Sequence, residues 1–388
     1  MSARNRGSGV GTRSRVRTEL VVIGAGPAGL CASIEAARSD VDVVLLDENQ
    51  KAGGQLIKQI HRFFGSEEHL SGVRGITIGS MLLEEAEREG VKTLFNTAAW
   101  GLFPDKTVGI LRPDGVDTIR AERVVLATGA LENSLAFPGW TLPNIMGAGA
   151  AQTMVNVHRV LPGRKVMIIG SGNVGLIVAY QLLQAGAEVV AIVEALPHVT
   201  GYQVHASKIV RMGVPILCSH TILRAVGTEY VEKAEIVRLD AGVKPVSGTE
   251  RWLEVDLICI AVGLRPMAEL AWMAGLRFGY IPELGGHVPL HDKNLQSTVP
   301  GIYIAGDAGG IEEASTAMEE GTLSGAAVAS SLGRVNRKIS VARIADIQRR
   351  LVMLRQGPFG NYRYEAKQHI TEAYHRCEQV GNGDRYDR

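Results

Sequence analysis

The stretch Val21-Val22-Ile23-Gly24-Ala25-Gly26-Pro27-Ala28-Gly29 decides the fold. An apolar run enters a turn of three glycines, and the pattern that leaves it is helical, with Pro27 at the first helical position. Gly24 permits the tight turn, Gly26 lets the backbone approach a pyrophosphate, and Gly29 lets helix and strand pack closely. The helix start then offers unpaired N–H groups and a positive dipole end to phosphates. The same figure returns at Val166-Met167-Ile168-Ile169-Gly170-Ser171-Gly172-Asn173-Val174-Gly175. Two such turns in one chain imply two bound nucleotides, with an electron or hydride passing between them.

Each turn is followed by an acid at the spacing a ribose ligand requires. After the first turn, Asp47 and Glu48 end a strand, and the sequence does not rank them. After the second, Glu194 ends the strand. A carboxylate there repels a 2′-phosphate, which favours NAD(H) over NADP(H). Gly53-Gly54-Gln55 allow backbone to press against a flat ring that Gln55 can hydrogen-bond. Nearby Lys58 and His61 read equally as reactive-face residues or as solvated loop.

The surrounding pattern is strand, helix, strand, meander, strand, and then the same again. Strands are expected at 19–24, 41–47 and 123–130, with helices at 27–38 and 76–89 and an antiparallel meander at 93–120. The second round has strands at 165–170 and 188–193, a helix at 173–186, a meander in 216–253 and a closing strand at 256–263. A further strand within 301–307 and a long helix at 314–332 follow. The expected fold is α/β: two doubly wound parallel-sheet dinucleotide-binding domains, the second inserted in the first, each with a small antiparallel meander. The boundaries are a disordered basic leader at 1–17, a first domain at 18–145 plus 285–340, a second at 146–284, and a charged tail at 341–388.

At 388 residues, with 41 Lys+Arg against 40 Asp+Glu, the chain has the length for two domains and no field suited to nucleic acid. No apolar stretch reaches the length of a membrane span, and the basic leader is not followed by the apolar core of a secretory signal. The 4 cysteines, Cys31, Cys218, Cys259 and Cys377, form no C-x-x-C pair. This predicts a cytoplasmic protein without a dithiol relay or a cysteine-held cluster, and Cys31 and Cys259 read as small core residues. No histidine or cysteine spacing predicts a metal, and no G-x-S-x-G supports hydrolysis. Glu312, Glu313, Glu319 and Glu320 read as a solvated or interface helix end, and Trp140, Trp252 and Trp272 as packing residues. Tyr202 and His205 are placed beside the approach to a nicotinamide.

Taken in order, Gly24 to Gly29, Gly53-Gly54-Gln55, Ala127-Thr128-Gly129, the second fingerprint and Thr298…Gly306-Asp307 resemble the two-dinucleotide-binding-domain flavoproteins of the thioredoxin-reductase-like branch. The resemblance spans roughly 18–335. It implies FAD in the first unit and NAD(H) in the second. It gives Asp307 a place on the FAD ribityl chain and sets the start of the helix near Ala314-Ser315 against the flavin pyrimidine edge. A narrower likeness, carried by Phe137 to Gln152 with Asp47-Glu48 and Val193-Glu194-Ala195, is to α subunits of heteromeric amine, opine and proline dehydrogenases. It implies a flavin-dependent β subunit that oxidises the amino acid, and a second nucleotide site that holds ATP or NAD(H). The single tail cysteine, Cys377, cannot carry the iron–sulfur module of many such subunits, which points to a separate iron–sulfur subunit or another exit for electrons. The expected function is an FAD-dependent oxidoreductase that passes electrons between FAD and NAD(H) or a partner subunit. The competing readings are a non-catalytic docking subunit and a stand-alone NADH:acceptor reductase.

Overall fold

The computed structural model describes residues 16–63, 66–357 and 360–383. Helices among them are α1 (Pro27–Ala37), α2 (Gly75–Arg88), α3 (Ala148–Asn156), α4 (Asn173–Gln184), α5 (Gln203–Arg211), α6 (Glu269–Met273), α7 (Ala314–Ser331), α8 (Arg337–Leu354) and α9 (Asn361–Gly383). The chain divides into two compact units, one of residues 1–54, 78–129 and 266–388, the other of 55–77 and 130–265.

In the first unit, strand Val16–Ile23 lies between Val43–Leu46 and Gly115–Leu126, parallel to both. Lys92–Leu94 extends the sheet beyond Val43–Leu46, and Ile302–Ile304 pairs with the end of Gly115–Leu126. These strands alternate with helices that cover both faces, so they read as continuous apolar runs. Val43, Val44, Leu45 and Leu46 are all buried, each stabilising the fold by about 1.5–3 kcal/mol relative to exposure. Strand Gly115–Leu126 is longer than the expected strand at 123–130 because it serves twice. Its first half closes the antiparallel meander with Thr107–Arg112 and Ala98–Leu102, and its second half joins the parallel sheet. It ends at Leu126, where the backbone turns at Gly129. The expected leader reaches residue 17, but Val16 and Arg17 already pair with Ile119 and Arg120, and the rest of it lies outside the described residues.

The second unit repeats the plan. Lys165–Ile169 lies between Glu188–Val193 and Leu257–Ile260, with Ile216–Leu217 and Ile145–Gly147 at the two edges, all parallel. Its meander is His220–Val226, Lys233–Arg238 and Arg251–Glu254. Helices α3 and α5 go beyond the expected set; α3 is an Ala- and Gly-rich segment with little polar contrast to mark its period. The fold is thus a mixed α/β arrangement of two Rossmann units, the second inserted in the sequence of the first.

The charged tail, expected to be partly helical, carries two helices where it is described. Helix α8 packs Ile347 and Leu351 against Leu323 and Ala326 of α7, and α9 buries Ala366, Ile370 and Tyr374 against Ile281, Leu284 and Val288. Among the described residues no helix is long and apolar enough to cross a membrane.

Candidate nucleotide-binding sites

Both glycine turns leave the strand at the centre of their sheet, where the strand order reverses, the position at which doubly wound sheets bind ligands. The two turns match contact by contact. The amide of Gly24 donates to Leu46 O at 2.8 Å, and that of Gly170 to Val193 O at 2.8 Å. Gly24 has φ +105° and Gly170 φ +103°, and a Cβ on either would strike a carbonyl of the neighbouring strand end, Ala127 O at 2.3 Å or Ala261 O at 2.2 Å. A Cβ on Gly29 or Gly175 would strike the carbonyl of the first glycine of its own turn, at 1.8 Å or 2.2 Å.

The middle glycines differ from these. A Cβ on Gly26 would come no nearer than 3.9 Å to Gly54 Cα, and one on Gly172 no nearer than 3.9 Å to Thr200 Oγ1. Their φ values, −76° and −66°, suit any residue. Neither packing nor backbone strain requires glycine there. Open space of this kind is what the close approach of a ligand would need. Each of these glycines is also the N-cap of its helix, α1 or α4, and no side chain caps either helix, which leaves first-turn amides for an anion. Pro27 occupies the first turn of α1, and Ala28 is buried behind it. Asn173 opens α4 and accepts the Tyr202 amide at 2.8 Å, while Val174 beside it is exposed.

The acids fall into register through the same symmetry. Asp47 Oδ2 accepts the Ala25 amide at 2.7 Å, and its Oδ1 accepts the Asn49 amide at 2.8 Å. Glu194 Oε2 accepts the Ser171 amide at 2.8 Å and the Ser171 hydroxyl at 2.7 Å, and its Oε1 accepts the Leu196 amide at 2.9 Å. Both carboxylates are buried and brace the glycine turn from the end of the second strand. The next residue is Glu48 in the first unit, which is exposed, and Ala195 in the second.

Of the other expected residues, Gly54, Ala127, Thr128, Gly129, Gly306 and Asp307 belong to the first unit, and Gln55 to the second. Gly54 (φ +50°) lies against Gly26, its hypothetical Cβ 2.9 Å from Gly26 Cα. Gln55 begins the exposed side of the same short helical turn. Ala127 donates to Ile23 O at 2.9 Å, Thr128 Oγ1 to Met267 O at 2.5 Å, and Gly129 O accepts the Met267 amide at 2.9 Å. Gly306 (φ +67°) sits over Ala28, and its amide donates to Glu320 Oε2 at 3.0 Å. Asp307 is largely enclosed by protein yet keeps part of its surface open, and burial pushes its carboxyl up to about 7.

Of the four acids expected at a solvated or interface helix end, Glu313 is exposed, whereas Glu319 and Glu320 are buried and Glu312 partly so. Each is matched by a cation from α8, α9 or the turn between them. Arg350 forks onto Glu319 at 2.9 Å through two nitrogens, and Arg355 bridges Glu312 and Glu320. Arg363 meets Glu313 at 3.1 Å, and Lys367 Nζ donates to Glu320 at 2.8 Å and to Gly309 O at 3.0 Å. Lys367 and Arg355 together hold Glu320 down at about 2 against the opposing effect of burial. The turn that carries Asp307 is therefore fixed by α9, a link between residues 58 positions apart that no sequence spacing signals.

In the second unit Lys58 donates to Gly149 O at 3.2 Å, and burial lowers its pKa against the pull of Glu132. Glu132, absent from the expected set, accepts the Gly149 amide at 2.6 Å at the start of α3. Tyr202 and His205 stack with ring centroids 6.3 Å apart. Cys259 is a core residue as expected, whereas Cys31 is only partly buried, with its thiol raised to about 12. Trp140, Trp252 and Trp272 are not packing residues of the interior but are exposed. Among the described residues no group of three or more His, Cys, Asp or Glu could hold a metal ion.

The sequence pattern of the pyridine nucleotide-disulphide oxidoreductases matches residues 18–321. An opine oxidase subunit from Rhizobium meliloti (strain 1021) is 33% identical over 345 residues, covering 81% of this chain and 72% of the relative. The L-proline dehydrogenase structure from P. horikoshii aligns with a TM-score of 0.64 at 25% identity, over 86% of this chain and 59% of that one. T. acidophilum thioredoxin reductase aligns with a TM-score of 0.68 at 22% identity, over 81% of this chain and 99% of that one, and shares the fold. Matching fingerprints, matching turns and these likenesses converge: the chain belongs to the pyridine nucleotide-disulphide oxidoreductase family and is an FAD-dependent oxidoreductase.

Proposed function

We propose that FAD occupies the crevice of the first unit, that a second nucleotide occupies that of the second, and that the chain is the electron-handling subunit of a heteromeric amine or amino-acid dehydrogenase. The observation that carries this reading is the pair Gly26 and Gly172. Both are glycines that neither strain nor packing requires, and both stand at helix starts that no side chain caps. The first crevice would hold FAD, which when bound would supply hydride and single-electron chemistry. The chain's own residues bind and orient. Gly24, Gly26 and Gly29 shape the diphosphate cradle, Asp47 braces it, and Glu48 is exposed beside it. Asp307 offers a carboxyl to a polyol chain, and α7 presents an uncapped N-terminus at Ala314 to the pyrimidine edge of the ring.

The subunit role is supported by the likeness to a protein whose own name is that of an oxidase subunit. It is also supported by an exposed aromatic patch on the first unit. Trp272 is 54% exposed and stacks on Phe278 at 3.5 Å, Tyr280 is 68% exposed, and Trp100 and Phe103 lie edge to face. Such a patch on a protein surface marks an interaction site. The occupant we assign is a β subunit that oxidises the amine, with a separate iron–sulfur subunit as a route for electrons, since this chain holds no cysteine set for a cluster.

In the second crevice, Glu194 is engaged by the turn, and Ala195 stands where the first unit has Glu48. Neither feature separates NAD(H) from ATP, whose adenosine riboses are the same, so the second reading for that site alone is a nucleotide such as ATP held for structure or gating rather than NADH turned over. Purified protein mixed with NADH and an artificial dye decides between them. Rapid dye reduction supports NADH oxidation by this chain; reduction of the flavin only with an amine and a co-purified partner supports the subunit reading. A colourless protein that FAD cannot reconstitute overturns both.

A further inference from the structure

A cavity of about 290 Å³ lies inside the second unit, between α4, α5 and residues 60–62 and 74. It contains none of Gly170, Gly172 or Glu194; its α4 wall begins at Leu176, beyond the glycine turn. The charge of its lining is one-sided. His61, Arg62, Arg74, His205 and Lys208 contribute basic or protonatable groups, and no carboxylate is among the described lining residues.

Two buried nitrogens in this wall lack partners, and one of them is an amide donor. Gln181 Oε1 accepts from Gln152 Nε2 at 2.9 Å and from Asn156 Nδ2 at 3.1 Å. These two donors fix the amide so that its oxygen points into α3, and its Nε2 is buried with no hydrogen-bond partner. His61 Nδ1 is likewise buried and unpartnered. A buried donor left unpaired destabilises the fold, and an acceptor placed against the Gln181 amide would relieve that cost. Lys208 is also close enough to His61 to disfavour its protonated form, alongside the effect of burial. Arg62, Arg74 and Lys208 keep their charge at this wall, and with no carboxylate among its lining residues an anion would be stabilised there.

We infer that this cavity is a binding site for a small oxyanion, a phosphate or carboxylate group borne by an ion or a low-molecular-weight metabolite. Its volume stands at the lower end of ligand pockets, which excludes a whole dinucleotide. An occupant would tie Arg74 to α4 and α5 through the Gln181 amide and Lys208.

The test is calorimetric titration of the flavin-loaded, full-length protein in low-salt buffer, with inorganic phosphate in one arm and succinate in the other. Saturable binding of at least one probe at millimolar or tighter affinity is expected, and the arm that binds names the source of the oxyanion. Lys208→Ala and Arg74→Ala should each weaken it by about tenfold, the effect of losing one charge-assisted hydrogen bond. Arg211→Ala, on α5 but outside the cavity, should leave it unchanged. If either alanine variant fails to fold by circular dichroism, Lys208→Gln and Arg74→Gln keep the aliphatic stem and carry the same reading. Absence of saturable binding with both probes overturns the inference, as does binding unaltered in the Lys208 and Arg74 variants. Displacement of the bound probe by NADH also overturns it, because the cavity would then belong to the dinucleotide crevice.

Discussion

Asp47 accepts the backbone amide of Ala25 at 2.7 Å, so the acid at the end of one strand holds the glycine turn at the end of its neighbour. Glu194 and Ser171 repeat the arrangement at 2.8 Å in the second unit. The protein's own hydrogen bonds brace the cradle, and two of the acids that the spacing nominates for a ribose, Asp47 and Glu194, are part of that brace.

Asp47→Ala should therefore act on the turn itself. It removes the acceptor for two amides, Ala25 and Asn49, at a cost of about 1–3 kcal/mol, and should lower both the melting temperature and flavin retention. Glu48→Ala removes only an exposed carboxylate, so the stability should stay within about 0.5 kcal/mol of wild type. A Glu48 variant that retains full flavin affinity would remove this residue from the ribose site.

Gly26→Ala and Gly172→Ala separate the two crevices. Each new methyl has room in the protein, so both variants should fold and melt like wild type. Gly26→Ala should weaken FAD binding by at least about tenfold while sparing the second site, and Gly172→Ala should do the reverse. The flavin spectrum after gel filtration and nucleotide binding by calorimetry read the two outcomes.

The buried network beneath the Asp307 turn should dominate one part of the stability. Lys367→Met strips Glu320 of a close buried partner and should destabilise the fold by about 3–5 kcal/mol in a denaturant titration. Replacing Lys367 and Glu320 together by Met and Gln should recover part of that loss, because the carboxylate that lost its partner is then gone as well.

The same region sets an acid limb. Burial, then Lys367, lower the His291 pKa from 6.5 to about 4. Between these values the unfolded chain binds a proton that the folded chain does not, so stability falls as the pH drops through this window, by up to about 1.4 kcal/mol per pH unit. Glu320 adds a loss below 4.5, running down to about 2. Asp307 opposes both: its carboxyl, raised from 3.8 to about 7, contributes stability at low pH that is lost as the pH rises through this window. His291→Asn should flatten the slope between 6.5 and 4, and Asp307→Asn should steepen it, in thermal melts recorded across pH.

The aromatic patch gives a separate test of the subunit role. Trp272→Ala and Tyr280→Ala alter exposed side chains and should leave the melting temperature nearly unchanged. Tagged wild-type protein recovered from its host should bring down a stoichiometric flavin-containing partner, and the Trp272 variant should recover much less of it. Equal recovery by both proteins would place the interface elsewhere.

Much of the architecture is legible in the sequence because periodicity and glycine spacing are local. Val21 to Gly29 and Val166 to Gly175 carry strand, turn and helix in consecutive residues, and helices α1, α2, α4 and α7 lie where the apolar pattern sets them. The strand Gly115–Leu126 escapes such a reading in its first half because one strand serves a meander and a parallel sheet, and only pairing shows that double use. The sequence does not show that Glu319 and Glu320, two of the acids expected at a solvated or interface helix end, are buried in ion pairs, for a related reason. For Glu319, Glu312, Glu313 and Glu320, the partners Arg350, Arg355, Arg363 and Lys367 are 31, 43, 50 and 47 residues away, and sequence proximity says nothing of such pairs.

By itself, the sequence determined two glycine turns of the dinucleotide-binding type and the parallel sheets that present them, since each is written in neighbouring residues. Tertiary structure alone decided which carboxylates brace those turns, how α8 and α9 neutralise the glutamates around Asp307, and how a basic cavity gathers His61, Arg74 and Lys208. The reason is physical: burial and electrostatic pairing depend on distance in space, and the chain brings together charges that its order keeps apart.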